Sequence, residues 1–513
     1  MRMRAGAALA AALGLAVGMA PAATAGSATA GPAAAAEART VKVTSFDGTE
    51  IVTNFFPARN LGAGEQAPTV LVGPGWSAPG DRTGETRSSD AGGVVGTGTL
   101  RDNGYNVVTW DPRGFGGSGG EANVNHADLE GRDVSALIGW IAEQPEARLD
   151  RAGDPRVGMA GGSYGGGAQF ITAAADRRVD AIIPSIAWSS LTGSLYPDDA
   201  YKAGWAGILC AGGMAGTNRV AAPVRSSCVS GATTGTMSAE DEAWYAERGP
   251  GDLVRRIEAP TLILQGTVDT LFPLDEAVAN YERLRRAGTP VKMAWFCGGH
   301  GACASDPGPA GHIEKISLAW FSRHLKGERR TDTGPAFEYV DNTGVWRGAS
   351  RYPLFPSGLL HGSGKGELQV RPGDTSGLPT AARPAAKAVN VQIKAPRTEG
   401  QLVGAPRVIL AYRGEAEAGS PTTTFVYAQL VDERTGVVVG NQATPIPVRL
   451  DGRAHLVSRE LETIAWRAAR DSRLTLQITS GTALYTPQRA TADLDLRVTV
   501  TLPLTRPAAP VTP

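Results

Sequence analysis

The stretch RVGMAGGSYGGGAQF, residues 156–170, decides the fold. Residues 156–160 have the pattern of a short buried strand, and the residues from Ala168 onward are good helix formers. The small residues between them fit a sharp turn, because a larger side chain would clash in so tight a bend. A strand, a turn and a helix in this order lift a hydroxyl above the end of the strand, so the pattern predicts an exposed nucleophile at Ser163.

A second match to the short pattern G-x-S-x-G, residues 116–120, has a different context. Glycine accounts for 66 of the 513 residues, so such a match also arises by chance. The strand before Ser118 is followed by a long loop, and no helical pattern begins before about Leu129. We therefore predict that Ser118 is a loop residue and that Ser163 is the nucleophile.

Strand and helix patterns alternate on both sides of Ser163. A hairpin over residues 41–57, turning at Asp47-Gly48, comes first. Strands are then predicted over 69–72, 106–110, 156–160, 181–183, 261–264 and 291–296, and helices over 132–143, 275–287 and 312–325. Apolar strands joined by helices predict a parallel sheet that is covered on both faces.

A serine hydroxyl becomes a good nucleophile when a histidine removes its proton and a carboxylate orients that histidine. Asp269 follows the strand pattern that begins at residue 261, and His300 follows the next strand in a glycine-rich loop. Both positions lie at the carboxyl ends of strands, on the same sheet edge as Ser163. The sequence thus predicts His300 as the base and Asp269 as the acid. Asp275 is the main rival acid, although it opens a helix, and His126 is a loop histidine that fits a pocket wall.

The oxyanion formed during acyl transfer needs preorganised hydrogen-bond donors. One predicted donor is the backbone N–H of Tyr164, the residue after the nucleophile. The second is expected from the loop GPGWS, residues 73–77. Pro74 has no N–H, so the backbone of Gly75 or Trp76 is the candidate, with Trp76 preferred.

The N-terminus has the pattern of a secretory signal. Arg2 and Arg4 precede an apolar stretch over residues 7–19, and Ala23-Thr24-Ala25 offers a cleavage site. This predicts a signal peptide over residues 1–25, a flexible linker over 26–38 and an exported protein without a membrane anchor. An uncleaved anchor is the alternative, although the apolar stretch is short for one.

Charge and cysteine content narrow the possible partners. Lysine plus arginine and aspartate plus glutamate both number 50, so the zero net charge favours neither nucleic acid nor an anionic membrane. Four cysteines in an exported protein favour disulfides, and of three possible pairings the local one joins Cys210 to Cys228 and Cys297 to Cys303. Metal binding by Cys297, His300 and Cys303 is the rival reading, which an oxidising compartment disfavours. No metal or other cofactor is therefore predicted.

The domain order follows from these patterns. An α/β domain is predicted over residues 39–330, with a lid insertion at about 188–253 that lies near the strand ends. Residues 331–385 are predicted to be a loop-rich connection. Short alternating strands over 386–505 predict a β-sandwich.

Several motifs match a known family. They are DPRGFGGS at residues 111–118, GSYGG at 162–166, Gly266, Asp269 and Phe272-Pro273 in one segment, and WRGA at 346–349. On these motifs the chain resembles the Xaa-Pro dipeptidyl-peptidase and cocaine esterase family of serine hydrolases, over most of residues 40–505. The resemblance implies an α/β-hydrolase domain with a helical lid, followed by an all-β, jelly-roll-like sandwich. It also implies hydrolysis of peptide bonds after Xaa-Pro, amino-acid esters, acyl esters or amides by Ser163, Asp269 and His300.

Two features depart from that family. Trp76 stands about where family members place a tyrosine whose hydroxyl helps to hold the oxyanion, so a backbone donor is expected here. Asp198 and Asp199 in the lid are the available carboxylates for a substrate's free amine, but a charge pair on a loop is usually just solvated.

The sequence therefore predicts a secreted serine hydrolase that cleaves a small-molecule ester, peptide or amide through an acyl-enzyme. An Xaa-Pro exopeptidase is the alternative enzyme. An exported, non-catalytic binding protein is the alternative from another class, and the oligomeric state stays open.

Overall fold

The computed structural model describes residues 37–511. The predicted signal peptide and residues 26–36 of the predicted linker lie outside the described residues. Within them the chain forms two large sheets of eleven strands each and a small two-stranded hairpin.

The strands of the first half are β1 (Arg39–Thr44), β2 (Glu50–Phe56), β3 (Thr69–Gly73), β4 (Asn106–Trp110), β5 (Leu149–Arg151), β6 (Asp154–Pro155), β7 (Val157–Gly162), β8 (Val179–Ser185), β9 (Thr261–Gly266), β10 (Val291–Phe296), β11 (Phe337–Val340) and β12 (Trp346–Ala349). The helices are α1 (Thr97–Asp102), α2 (Glu130–Ile141), α3 (Tyr164–Ala175), α4 (Leu191–Leu195), α5 (Ala203–Gly213), α6 (Ala222–Thr233), α7 (Ala239–Ala246), α8 (Leu274–Ala287) and α9 (His312–His324). Short 3₁₀ helices span Pro197–Asp199, Gly251–Arg256 and Val439–Asn441.

The later strands are β13 (Pro356–Val370), β14 (Val389–Ile393), β15 (Gly400–Gly404), β16 (Arg407–Ala416), β17 (Thr423–Asp432), β18 (Val437–Val438), β19 (Thr444–Arg449), β20 (Asp451–Glu460), β21 (Ile464–Ala468), β22 (Leu474–Thr479), β23 (Ala492–Thr505) and β24 (Ala509–Pro510).

The first sheet has the order β1-β2-β4-β3-β7-β8-β9-β10-β11-β12-β24. Its centre, from β4 to β11, is parallel, and antiparallel pairs flank it on both sides. One apolar cluster joins this sheet to α2, α3 and α8, and another joins it to α1 and α9. The strands are therefore buried on both faces, and the predicted α/β-hydrolase architecture is confirmed.

The second sheet is antiparallel and curls around its own apolar core. Its main path is β18-β17-β22-β14-β13-β23-β15-β21, with β16, β19 and β20 attached at its sides. Along β23 buried and exposed residues alternate, which is the pattern expected of strands with one face in a core. The predicted C-terminal β-sandwich is confirmed.

Residues 331–385 differ from the predicted loop-rich connection. Strands β11 and β12 extend the first sheet, and β13 is a 15-residue strand of the second. Glycines at 358, 362, 364 and 366 dilute the strand signal of β13, yet the long pairing with β23 holds it extended. A Cβ atom on Gly362 would lie 2.8 Å from the backbone carbonyl oxygen of Gln392, so close packing favours glycine there. The chain end also differs, since β24 lies beyond residue 505 and pairs with β12.

The predicted lid lies between β8 and β9 and holds helices α4 to α7. It also contacts the second sheet's loops: the N–H of Gly204 donates to the carbonyl of Leu484 (3.1 Å), and the N–H of Thr486 donates to that of Tyr201 (3.0 Å). Over residues 37–511 none of the helices combines the length and apolar character needed to span a membrane.

Candidate active site

Ser163 lies at the turn between β7 and α3, as the sequence predicts. Its backbone is strained, with φ 55° and ψ −118°, values that residues with a side chain rarely adopt. Hydrogen bonds hold the turn: the N–H of Ser163 donates to the carbonyl of Ser185 (2.9 Å), and its own carbonyl accepts from the N–H groups of Gly166 and Gly167 (2.9 Å each). The serine is thus fixed at the carboxyl end of a central strand.

The glycines around Ser163 are needed because β3 runs close to the turn. A Cβ atom added to Gly161 or Gly165 would overlap the backbone carbonyl of Gly73. Gly161 also has φ 133°, in the region that favours glycine. Replacing either residue would push the turn away from β3 and displace the serine.

Asp269 and His300 meet at the same edge of the sheet. Asp269 lies in the turn after β9 and is fully buried, and His300 lies in the loop after β10. The Nδ1 atom of His300 is 2.7 Å from Oδ2 of Asp269, and the backbone N–H of His300 donates to the same oxygen (3.2 Å). Oδ1 accepts from the N–H groups of Leu271 (3.0 Å) and Phe272 (2.9 Å). Both oxygens of the Asp269 side chain therefore accept hydrogen bonds from backbone N–H groups.

The bond to Asp269 determines the state of the His300 ring. Because the carboxylate accepts, Nδ1 carries the proton and Nε2 keeps its lone pair. Nε2 is buried and has no hydrogen-bond partner among the described residues. The rings of Trp205 and Phe272 pack edge-on against the imidazole at 5.7 and 5.3 Å. The imidazole therefore presents a free basic nitrogen in an apolar surrounding.

A cavity opens beside Ser163. Most of its wall is contributed by the lid, and among residues 37–511 no aspartate, glutamate, lysine or arginine lines it. Polar groups of the wall already form hydrogen bonds within the protein. The indole N–H of Trp188 donates to the backbone carbonyl of Arg248 (3.0 Å), and the hydroxyl of Tyr201 donates to the backbone carbonyl of Ser227 (3.3 Å). The cavity thus offers an apolar, uncharged surface next to the nucleophile.

The two residues predicted for the oxyanion both lie at this cavity. Tyr164 is the first residue of α3, so its N–H is among the free donors of a helix N-terminus. The ring of Trp76 packs on those of Tyr164 (5.2 Å) and Phe115 (4.8 Å). The indole N–H of Trp76 donates to the carbonyl of Leu209 in the lid (2.9 Å), which leaves the backbone as the available donor of this loop.

The alternative acid and the candidate carboxylates for a substrate amine lie outside the cavity at Ser163. Asp275 lies in the first turn of α8 and accepts from the N–H and hydroxyl of Thr463, at 2.9 and 2.6 Å. Asp198 forms an ion pair with Arg459 of the second sheet, and Asp199 lines the groove between lid and sandwich rather than the cavity at Ser163.

Ser118 and His126 have local partners. The Ser118 hydroxyl is buried, donates to the carbonyl of Asp111 (2.7 Å) and accepts from the N–H of Val52 (2.9 Å). The Nδ1 atom of His126 accepts from the N–H of Asp128 (3.3 Å).

All four cysteines are paired in the structure. Cys210 in α5 is joined to Cys228 in α6, and both line the cavity. Cys297 is joined to Cys303 across the loop that carries His300. Sulfur atoms in a disulfide are not thiolates, so neither Cys297 nor Cys303 has the form that binds zinc.

The sequence gives no indication of three buried or partly buried residues near the site, Lys202, Gln442 and Glu130. Lys202 and Gln442 bond the backbone around Asp269, and Glu130 accepts from the hydroxyl of Tyr164. Lys202 and Gln442 come from the lid and the sandwich, so no local motif marks them.

A parallel sheet with a strained serine at a strand–helix turn and a bonded aspartate–histidine pair at the same edge defines the α/β-hydrolase class of serine hydrolases. Residues 47–302, about half of the chain, match the X-Pro dipeptidyl-peptidase (S15) family. This part of the chain belongs to that family.

Solved structures share the architecture over nearly the whole chain. An α-amino acid ester hydrolase is 14% identical, with 93% of this chain and 98% of that chain covered and a TM-score of 0.70. A CocE/NonD family hydrolase from Staphylococcus aureus is 13% identical, with 92% and 97% covered and a TM-score of 0.63. At these identities the likeness concerns the fold.

One curated relative is closer in sequence but over a short stretch. A 31.7 kDa protein from the traX-finO intergenic region of Escherichia coli is 37% identical over 86 residues, which are 17% of this chain. The chain spans only 28% of the length of that relative.

Proposed function

We propose that this protein is an exported serine hydrolase that cleaves ester or amide bonds through an acyl-enzyme. The observation that carries the proposal is the 2.7 Å contact between Asp269 and His300, which leaves Nε2 of the imidazole free at the edge that bears Ser163. In this proposal Ser163 is the nucleophile, His300 the base and Asp269 the residue that orients it.

The reaction follows from these roles. His300 Nε2 takes the proton of Ser163 as Oγ attacks the substrate carbonyl carbon, and the N–H of Tyr164 and a backbone N–H of the Trp76 loop hold the oxyanion. The imidazolium then gives the proton to the leaving alcohol or amine, and the acyl group stays on Ser163. Water, deprotonated by His300, then attacks the acyl carbon; as the bond to Ser163 breaks, the imidazolium returns the proton to Oγ and the acid is released.

The cavity supports a neutral, apolar acyl group as the preferred substrate part. An ammonium group in a wall without a carboxylate would lose its hydration and gain no partner, at a cost of several kcal/mol. This argues against the Xaa-Pro exopeptidase alternative, which must hold a free amine. Asp198 is engaged with Arg459 and stands outside the cavity wall.

Export is supported by two observations. Residues 1–25 have the pattern of a secretory signal, and both cysteine pairs are joined. Disulfides persist in oxidising compartments and are rare in the cytosol.

Fluorophosphonate labelling of the mature protein, with the modified peptide located by mass spectrometry, tests the proposal. The expected adduct is on Ser163, lost in Ser163→Ala and retained in Ser118→Ala, the matched change in the second G-x-S-x-G segment. An adduct on another serine would mean that the site is misplaced. Folded protein without any adduct would favour the non-catalytic binding protein.

A further inference from the structure

Lys202 is a buried lysine of the lid that reaches the turn behind Asp269. It lies directly before α5, and only 3% of its surface is exposed. Its Nζ donates to the backbone carbonyls of Thr270 (2.8 Å) and Leu271 (3.3 Å). In residues 37–511 no carboxylate forms an ion pair with it within 4.0 Å, so backbone carbonyls hold this ammonium.

The two carbonyls belong to the turn that binds the Asp269 carboxylate. The N–H groups of Leu271 and Phe272 donate to Asp269, while Lys202 binds the carbonyl side of the same turn. Trp205, three residues further along the lid, donates its indole N–H to the hydroxyl of Thr270 (2.9 Å) and packs its ring on His300. One segment of the lid therefore contacts both the acid turn and the base.

Burying the ammonium of Lys202 costs desolvation free energy, and few charged groups surround it. The groups that face it are the carboxylates of Asp269, Glu276 and Glu462 and, at 5.9 Å, the ring of Tyr485. Burial lowers the pKa of Lys202 to about 8 despite these carboxylates. An apolar side chain would fill this space without the cost of desolvation, so packing alone does not account for a lysine.

We propose that Lys202 is a positioning residue for the acid–base pair: its ammonium fixes the turn behind Asp269 and so aligns the carboxylate that orients His300. This inference rests on the proposed function.

Replacement by methionine, compared with glutamine, tests this role on the full-length mature protein. Lys202→Met removes charge and donors, and kcat for a p-nitrophenyl acyl ester should fall about 10- to 100-fold with KM nearly unchanged. Lys202→Gln keeps N–H donors, so it should retain more of kcat than Lys202→Met.

Lys326→Met is the matched control, since Nζ of Lys326 also donates to a backbone carbonyl, that of Asn103 (2.7 Å), on the exposed surface. It should leave both kcat and the pH profile unchanged. Wild-type kcat should also decline above about pH 8, where Lys202 loses its proton, and this decline should be absent from Lys202→Met.

The proposal is overturned if kcat of Lys202→Met declines above about pH 8 as the wild-type kcat does, whatever its value at neutral pH. A lower kcat explained by fewer labelled sites in a fluorophosphonate titration would mean a structural role only. If the methionine variant does not fold, the glutamine variant decides, since its kcat must also stay level above about pH 8. Failure of wild-type Ser163 to label would instead remove the proposed function itself.

Discussion

The side-chain amide of Gln442 donates to the backbone carbonyl of Asp269 over 2.6 Å. Gln442 lies in the loop before β19 of the sandwich, 173 residues away along the chain. The hydroxyl of Thr270 also bonds the sandwich side, through the carbonyl of Thr380 (2.6 Å). The second sheet therefore supports the acid turn directly, and it is a structural part of the candidate site.

Removing the Gln442 contact should slow turnover while the fold persists. A neutral hydrogen bond contributes about 1 kcal/mol, so Gln442→Ala should lower kcat up to about 5-fold. Steady-state kinetics on a p-nitrophenyl ester measures this. Gln392→Ala is the control, because Gln392 bonds Glu433 within the sandwich (2.7 Å). Equal rates in the two variants would contradict a supporting role for the sandwich.

The identity of the acid can be separated from its rival. Asp269→Asn loses the carboxylate that holds the His300 proton at Nδ1, and kcat should drop by about 10³ to 10⁴. Asp275→Asn changes a residue that bonds Thr463 at the sandwich, so its kcat should stay within a few-fold of wild type. The two kinetic constants, measured side by side, decide the assignment; the reverse order would make Asp275 the acid.

Stability should depend on pH through Glu130, a carboxyl buried behind Tyr164. Burial raises the pKa of Glu130 to about 7, above its ordinary value of 4.5. The folded protein thus holds this proton more tightly than the unfolded chain, so the contribution is full below about pH 4.5 and is lost as the pH rises through 7. Urea unfolding of wild type and Glu130→Gln should diverge across that window by up to about 3 kcal/mol.

The glutamine variant keeps an oxygen that accepts from the N–H of His126 or the hydroxyl of Tyr164, at 2.9 and 3.2 Å in the wild type. The free energy of unfolding of Glu130→Gln should therefore lack only the pH dependence that Glu130 contributes in the wild type. Parallel curves for the two proteins between pH 4.5 and 7 would mean that Glu130 does not titrate there.

Local signals account for what the sequence predicts well. The turn at Ser163 depends on a strand, a helix and glycines within fifteen residues, and Asp269 and His300 each follow a strand directly. The fold class and the placement of these residues at one sheet edge follow from that local order. The roles of the three residues stay predictions until the labelling and kinetics are done.

What the sequence did not indicate depends on distant contacts. Lys202 and Gln442 reach the acid turn from 68 and 173 residues away, through backbone carbonyls that carry no sequence signature. Strand β13 was missed because its glycines have low strand propensity and its pairing with β23 is more than a hundred residues distant. The contacts of Lys202 and Gln442 and the pairing of β13 can therefore be identified only from the three-dimensional fold.

The uncharged cavity should discriminate against a free amine on the acyl group. Two p-nitrophenyl esters, of 3-phenylpropanoic acid and of phenylalanine, differ only by that amine. We expect kcat/KM for the first to exceed that for the second by 10-fold or more, since an unpaired ammonium costs several kcal/mol in such a site and each ~1.4 kcal/mol is a factor of ten. A preference for the phenylalanine ester would favour the exopeptidase alternative and point to a carboxylate that enters the cavity.

The Cys297–Cys303 bond should stiffen the loop that carries His300. Replacing both residues by serine frees a short loop, which should cost about 2 kcal/mol of stability, and kcat should fall because the imidazole is less well held. Thermal unfolding and kcat measure the two effects.

The double serine change at Cys210 and Cys228 is the matched comparison. That pair lines the cavity, so its removal should alter KM and the preferred acyl size instead. Unchanged kcat without the Cys297–Cys303 bond would show that this bond is not needed to hold His300 in place. An unchanged range of acyl groups without the Cys210–Cys228 bond would show that the lid does not set substrate size.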